Sequence, residues 1–262
     1  MNRKTFVLGV GAQKAGTTWL HSYIAASERC CMGLIKEYHT WDALFSPICR
    51  NFRIKKTSLL RPNRENYLRF AMQNIPFFYE NYFKHILSKG AVLTGDITPS
   101  YSVLSEGHFR KLKARINSLD VRIKCVFLMR DPLERCWGAA RMHSRKLDSD
   151  RSDEQVLRDS YSSAQYEFRT RYEVVCENLK SVFLEDELYF GFYESMHTER
   201  EIRRLSDFLG VEPNIQHRDV HVNVSKKAGK ISGSLRQEIR EFYKDTYEYC
   251  FSEFPVTNSL WA

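Results

Sequence analysis

Short apolar runs and longer amphipathic stretches alternate along the chain. The runs at 5–11, 31–35, 91–95, 122–129 and 188–193 are rich in β-branched and aromatic residues. Continuous apolar runs of this kind suit strands buried on both faces of a parallel sheet. Between them, apolar positions recur with helical spacing at 17–26, at 64–87 with an interruption at Pro76, at 106–117 and at 132–146. A long mixed pattern covers 153–183, and further helices are predicted at 199–209 and 232–251. Strand alternating with helix predicts an α/β fold: a doubly wound parallel sheet of about five strands flanked by helices. Two stretches break the pattern. Residues 42–64 are polar, basic and irregular, and 219–231 read as a second long loop. Long loops in compact domains often border active sites.

Composition adds limits. With 262 residues, 43% of them hydrophobic, and no repeat or low-complexity linker, 1–262 reads as one domain with a full core. No apolar run approaches the roughly 20 residues needed to cross a bilayer, so no membrane span is expected. The first strand begins almost at once and leaves no room for a signal peptide. The expected location is the cytoplasm, or the lumen if this is a trimmed catalytic domain. Seven scattered cysteines lack zinc spacing and read mostly as buried thiols, with one disulfide left open. The net charge of +8 suits an anionic partner, or is simply a basic surface. The lysines and arginines form no single dense tract, so no nucleic-acid partner is expected.

Candidate chemistry begins at Gly9-Val10-Gly11-Ala12-Gln13-Lys14-Ala15-Gly16-Thr17-Thr18-Trp19-Leu20, between the first strand and the first helix. Its glycines allow a tight turn and close backbone approach to a ligand. The helix behind it offers free N–H groups and a positive dipole end to an anion. Thr17 and Thr18 add hydroxyl donors, although Thr17 also reads as a plain helix cap. A nucleotide triphosphatase carries a lysine after the second glycine, to reach the β- and γ-phosphates. Here that position is Thr17, and the loop's lysine, Lys14, lies three residues earlier. This argues for a ligand without a γ-phosphate. The pattern G-x-x-K-x-G-T-T-x-L resembles the 5′-phosphosulfate loop of sulfotransferases, whose P-loop-like sheet carries it. The resemblance implies 3′-phosphoadenosine 5′-phosphosulfate as donor, held by Gln13, Lys14, Ala15, Gly16, Thr17 and Thr18. It implies that Lys14 steadies the leaving phosphate oxygens. Trp19 packs either near the adenine or in the core.

Met129-Arg130-Asp131-Pro132-Leu133-Glu134-Arg135 ends a strand and opens a helix. Pro132 suits the first helical turn and Glu134 its positive end. R-D-P-x-E-R resembles the family's 3′-phosphate motif, which implies that Arg130 pairs with that phosphate through its planar fork. The serine usual eight residues after the arginine is Gly138 here. A backbone amide, a water, or a basic side chain such as Arg141 or Arg145 would replace its hydroxyl.

Lys36-Glu37-Tyr38-His39-Thr40-Trp41-Asp42 follows the second apolar run, where parallel sheets place ligands. K-E-x-H-x-[FW]-D resembles a segment of heparan sulfate glucosaminyl O-sulfotransferases and their bacterial relatives. The resemblance implies Glu37 as catalytic base, Lys36 beside the transferring sulfuryl group, and His39 and Asp42 on the acceptor side. His39 is the rival base. A hydroxyl needs its proton removed as it attacks, and nearby lysines stabilise the charge that develops on the leaving oxygen. This scheme needs no metal. Gly95-Asp96-Ile97-Thr98-Pro99-Ser100-Tyr101 resembles the family's acceptor-cleft segment, with Asp96 and Ser100 as candidate contacts. Ile97 stands where the glycosaminoglycan enzymes often have lysine. Tyr189–Glu194 resembles a late structural strand, and Ser225, Lys226, Lys227, Gly229 and Lys230 resemble a late loop over the adenosine and 3′-phosphate.

The expected function is a sulfotransferase acting by in-line displacement on a hydroxyl, with a carbohydrate acceptor first and a lipid, polyketide or other small alcohol second. Two other classes stay open. A P-loop kinase or hydrolase predicts magnesium and ATP dependence. A non-catalytic polyanion-binding module predicts no activity to lose at Glu37.

Overall fold

Four of the five apolar runs form strands: β1 (Thr5–Gly11), β2 (Leu93–Ile97), β3 (Arg122–Met129) and β4 (Leu188–Phe192). The computed structural model describes residues 3–61, 63–145, 151–220 and 229–262. All neighbouring strands are parallel, in the order β2-β1-β3-β4. Every residue of β1 and β2 is buried, as in strands of a parallel sheet covered on both faces, and β2 buries Thr94 and Asp96 among them. From β1 the chain steps outward to β2, then returns to the other side of β1 for β3 and β4. The crevice at the C-terminal ends of β1 and β3 is the switch point where open α/β sheets bind ligands.

The fifth run departs from expectation. Cys30 bridges Leu93 on the outer side of β2, Cys31 N donates to Leu93 O (3.0 Å), and the run then leaves the sheet. Gly33 takes a left-handed φ of 80°, which turns the chain, and Leu34 is 75% exposed. The apolar residues of this run lack the two covered faces a strand there would need.

The helices follow the predicted pattern with more breaks. They are α1 (Thr17–Ala25), α2 (Trp41–Phe45), α3 (Arg64–Asn74), α4 (Phe78–Ser88), α5 (Glu106–Asn117) and α6 (Pro132–Ser144). After these come α7 (Asp153–Ser160), α8 (Ala164–Glu167), α9 (Tyr172–Lys180), α10 (Glu199–Leu209), α11 (Gly233–Phe242), α12 (Lys244–Glu253) and α13 (Thr257–Leu260). Pro76 forces the separation of α3 from α4: the preceding Ile75 is extended (φ −100°, ψ 120°), as a residue before proline prefers. Residues 42–64 are less irregular than expected, with α2 and two 3₁₀ turns, Pro47–Phe52 and Lys56–Leu60. Aromatic packing closes the core under the sheet. Phe6 meets Phe83 edge-on at 5.0 Å, and Phe83 meets Tyr79 at 4.9 Å. Among the described residues no helix is long and apolar enough to cross a membrane.

Candidate active site

The first loop closes on itself through Ala12 N, which donates to Leu128 O (2.6 Å), and Ala15 N, which donates to Ala12 O (3.2 Å). Gly16 caps α1 with φ 91°. A Cβ there would lie 2.4 Å from Met196 Sδ, so both the backbone angle and the space demand glycine. The first amides of α1 have no partner within the helix and open onto this loop. Ala15 is fully buried, so its backbone alone can serve a ligand; Gln13, Lys14, Gly16 and Thr18 are half-buried at the mouth, and Thr17 is buried.

Positive charge converges on the loop. Burial first, then Arg145, Arg130, Arg141 and Lys36, hold the Lys14 ammonium below its usual pKa. Arg130, at the end of β3, reaches Lys14 O through Nη1 (3.3 Å) and lies over the Tyr193 ring at 4.5 Å. Its Nη2 is 3.4 Å from Glu134. The Nε atoms of Arg130 and Arg141 are buried without a partner. Arg135 and Arg169 also bury unpartnered nitrogens; Arg130 and Arg141 differ from them in acting on Lys14, beside the loop.

The corner that carries Arg130 is braced from three sides. Asp131 caps α6 by accepting from Glu134 N (3.1 Å), with Pro132 in the first turn as predicted. Tyr247 donates to the same carboxylate at 2.9 Å. Asp131 N donates to Glu194 (3.0 Å), and Trp261 Nε1 donates to the other oxygen of Glu194 (3.0 Å). The Tyr193-Glu194 pair, predicted as structural, therefore supports Arg130 with both members. Gly138 sits one turn along α6, where an added Cβ would be 3.4 Å from Lys14 Cβ and 3.5 Å from Arg130 Nη1.

Across the crevice lie Lys36, Glu37 and His39. Lys36 Nζ donates to Glu37 Oε1, and His39 Nε2 stands 3.3 Å from Glu37 Oε2. Behind His39, its Nδ1 meets Asp42 Oδ2 at 2.7 Å, and Ser100 Oγ donates to that same oxygen. Burial alone would raise the Glu37 carboxyl. The hydrogen bond from His39 and the charge of Lys36 outweigh it and hold the pKa down to about 2. Burial would lower His39, but its bonds to Asp42 and Glu37 raise it overall, which favours the imidazolium. The segment is fixed from outside: Arg69 donates to Glu37 O through Nε (3.0 Å) and Nη2 (2.9 Å). Gln73 donates to His39 O (2.7 Å), and the Phe52 ring stacks on His39 at 3.7 Å.

Several expected contacts turn inward instead. Asp96 is fully buried and accepts from Thr98 (2.7 Å), Tyr101 (2.7 Å) and Tyr79 (3.1 Å), so it faces no acceptor. Thr98 in turn accepts from Tyr38 N (3.1 Å), which ties Asp96 to the loop holding Glu37 and His39. Asp42 and Ser100 are buried behind His39 and act on it rather than on a ligand. Trp19 belongs to the core: it stacks on Tyr23 at 5.1 Å and its indole N–H donates to His217 O (3.1 Å). Of the late loop, Ser225, Lys226 and Lys227 lie outside the described residues. Gly229 packs within 3.5 Å of the Trp137 ring (measured from an added Cβ), and Lys230 is exposed. Of the seven cysteines, five are buried, Cys30 is half-buried and Cys31 exposed; all are free thiols.

Motif spacing gave no signal for Arg69, Gln73, Phe52 or His21. The last lies one turn along α1 from Thr17, with a buried, unpartnered Nε2. Burial, then Lys36, hold it below the usual histidine pKa, so it is neutral near pH 7. The site thus joins an anion pocket with unfilled buried donors to an ionised carboxylate paired with a lysine.

The sulfotransferase domain family matches residues 4–245. A solved sulfotransferase from Alicyclobacillus acidocaldarius superposes with a TM-score of 0.63 at 19% identity, covering 96% of each chain. The sulfotransferase domain of the Synechococcus PCC 7002 olefin synthase superposes with a TM-score of 0.51 at 16% identity, covering 91% of this chain and 87% of that one. That of the curacin biosynthetic pathway gives 0.50 at 15%, covering 83% and 77%. At these identities the likeness is one of fold. No curated protein matches the chain significantly in sequence. The domain match spans the phosphate loop, the Arg130 corner and the Lys36–Glu37 segment, and the chain belongs to the sulfotransferase family, enzymes that transfer sulfate.

Proposed function

We propose that 1–262 is one catalytic domain that uses 3′-phosphoadenosine 5′-phosphosulfate to sulfate a carbohydrate hydroxyl. The observation that carries the donor is the cationic pocket. Buried, unpartnered guanidinium nitrogens on Arg130 and Arg141 stand beside a phosphate loop that lacks the triphosphate lysine. The residues fit a nucleotide with two phosphate positions. The α1 N-terminus and Lys14 would hold the 5′ side, and Arg130 with Arg141 the 3′-phosphate. When bound, the donor supplies an activated sulfuryl group.

The chain's own residues do the rest. Lys14 and Lys36 stabilise negative charge at the leaving oxygen, and a partly dry site strengthens both. Glu37 takes the acceptor's proton. At rest its carboxylate is a weak base, because His39 and Lys36 hold its pKa near 2. As Lys36 turns toward the sulfuryl oxygens, part of that restraint lifts, and burial then raises the carboxylate's proton affinity. His39, engaged by Asp42 on one side and Glu37 on the other, steadies Glu37 instead of acting as base.

Calorimetry with 3′-phosphoadenosine 5′-phosphate against ATP tests the donor; tighter, magnesium-dependent ATP binding would refute it. Transfer of radiolabelled sulfate to a panel of oligosaccharides tests the base. Glu37→Gln should abolish transfer while leaving nucleotide affinity intact; loss in His39→Ala but not in Glu37→Gln would reverse the assignment.

A further inference from the structure

The chain carries eight more basic than acidic side chains, and one stretch holds six of the basic ones with no acid among them. Residues 43–64 hold Arg50, Arg53, Lys55, Lys56, Arg61 and Arg64, and no aspartate or glutamate. All six side chains are exposed. Among the described residues none of the six pairs with a carboxylate, whereas Arg69, Arg110, Arg171, Arg203 and Arg204 each pair with a nearby glutamate. The next acid along the chain, Glu65, is taken by Arg69 at 3.2 Å. Six like charges close together repel one another, and nothing in the fold offsets that repulsion.

The segment is not a loose surface loop. Gln73 grips it from both sides, donating to Phe52 O (3.1 Å) and accepting from Ile54 N (2.9 Å). Through the same amide nitrogen Gln73 holds His39 O, and the Phe52 ring covers the His39 ring. Arg53 lies at the joint, held to Asn74 at 3.2 Å. The cationic strap is thereby registered against the Glu37–His39 segment. The strap and Glu37 are thus linked through Gln73, Phe52 and His39.

We infer that Arg50, Arg53, Lys55, Lys56, Arg61 and Arg64 select an acceptor bearing negative charges beside its reactive hydroxyl: an acidic glycan, in preference to a neutral sugar, lipid or polyketide alcohol. The inference rests on the sulfotransferase reading of the site and narrows its acceptor. Exposed cations spaced along one segment, through and between its two 3₁₀ turns, suit carboxylates or sulfates repeated along a chain. A single small anion would engage one or two of them and leave the rest repelling. The attraction is that of exposed charges, so salt weakens it.

The test compares oligogalacturonate with a size-matched malto-oligosaccharide, both binding to the full chain saturated with 3′-phosphoadenosine 5′-phosphate. Oligogalacturonate should bind, the neutral oligomer should not, and affinity should fall steeply with salt. Arg53→Glu/Lys55→Glu/Lys56→Glu should weaken it about 10- to 100-fold, three exposed pairs being lost. The milder glutamine triple variant should fall between, which guards against misfolding of the charge-reversed one. Nucleotide affinity should be the same in all three proteins. Equal binding of the neutral oligomer, or triple variants that bind like wild type, would overturn the inference while leaving the donor site standing. So would duplex DNA that binds more tightly than oligogalacturonate, since the strap would then be a nucleic-acid surface. Failure of the nucleotide to bind wild type would instead sink the site reading itself.

Discussion

Gly138 lies inside α6 with its Cα facing Lys14 and Arg130, and replacing it with serine should improve two properties at once. An added Cβ meets Lys14 Cβ at 3.4 Å, Arg130 Nη1 at 3.5 Å and Lys14 Cε at 3.7 Å. These are ordinary contact distances, so serine enters without moving either cation. A glycine within a helix costs about 0.5–1 kcal/mol relative to alanine, and serine recovers about half of that. A gain near 0.5 kcal/mol would raise Tm by about 1–2 °C in a chain of this size. The hydroxyl would also stand beside the Arg130 fork, where the proposed 3′-phosphate sits. Position 138 is buried and a hydrogen bond to a charged group contributes about 1.5–3 kcal/mol, so affinity should rise by about 10- to 100-fold. Calorimetry with 3′-phosphoadenosine 5′-phosphate and scanning calorimetry read the two effects separately. Gly138→Ala serves as the control, with a higher Tm and unchanged affinity. If Gly138→Ser melts no lower than wild type and yet binds the nucleotide no better, Gly138 does not face the phosphate.

Two further outcomes follow from the same geometry. Tyr193→Leu should weaken binding of that nucleotide by about 3- to 30-fold, because the aromatic face that orients Arg130 contributes about 0.5–2 kcal/mol when desolvated; an unchanged affinity would show that the Glu194 side alone holds the corner. Burial pushes the Asp96 carboxyl up from 3.8 to about 6, against the hydrogen bonds from Thr98, Tyr101 and Tyr79. A raised acid binds its proton more tightly in the folded state, so this group destabilises the fold above about pH 6 and is relieved as pH falls toward 4, by about 3 kcal/mol in all. Urea midpoints should show the advantage of wild type over Asp96→Asn widening from pH 7 to pH 4; a constant gap would mean that Asp96 is ionised throughout.

What could be read in advance was local. The glycine loop and the Arg130 corner each lie within a dozen residues behind a strand end, and Lys36 and Glu37 are neighbours in the chain, so spacing alone brings the members of each group together. Pro76 likewise ended a helix because its effect is on the backbone next to it. Readings stayed open or failed where distant parts of the chain decide the outcome. Trp19 adjoins the glycine loop in sequence, and the choice between adenine and core falls to the core through His217 and Tyr23. Asp96 has the position of an acceptor contact, yet Tyr79 and Tyr101 close over it from α4 and the turn beyond β2. The run after Cys31 has strand composition, but nothing covers Leu34, so the sheet stops at β2. The grip of Arg69 and Gln73 on Glu37 and His39 comes from a helix some thirty residues downstream, |i−j| being 32 and 34. No motif announces such a contact.

The bond from Trp261 to Glu194 has a consequence for biosynthesis. β1, β2 and β3 have all been made before the ribosome reaches Trp261. The glycine loop can therefore form early in synthesis, but Glu194 cannot be held from both sides until Trp261 has been added. Contacts between residues so far apart form late, because the intervening chain must be ordered first. The brace on the Arg130 corner is then complete only in a polypeptide synthesised through Trp261, and a fragment stalled before it would hold the proposed donor less firmly.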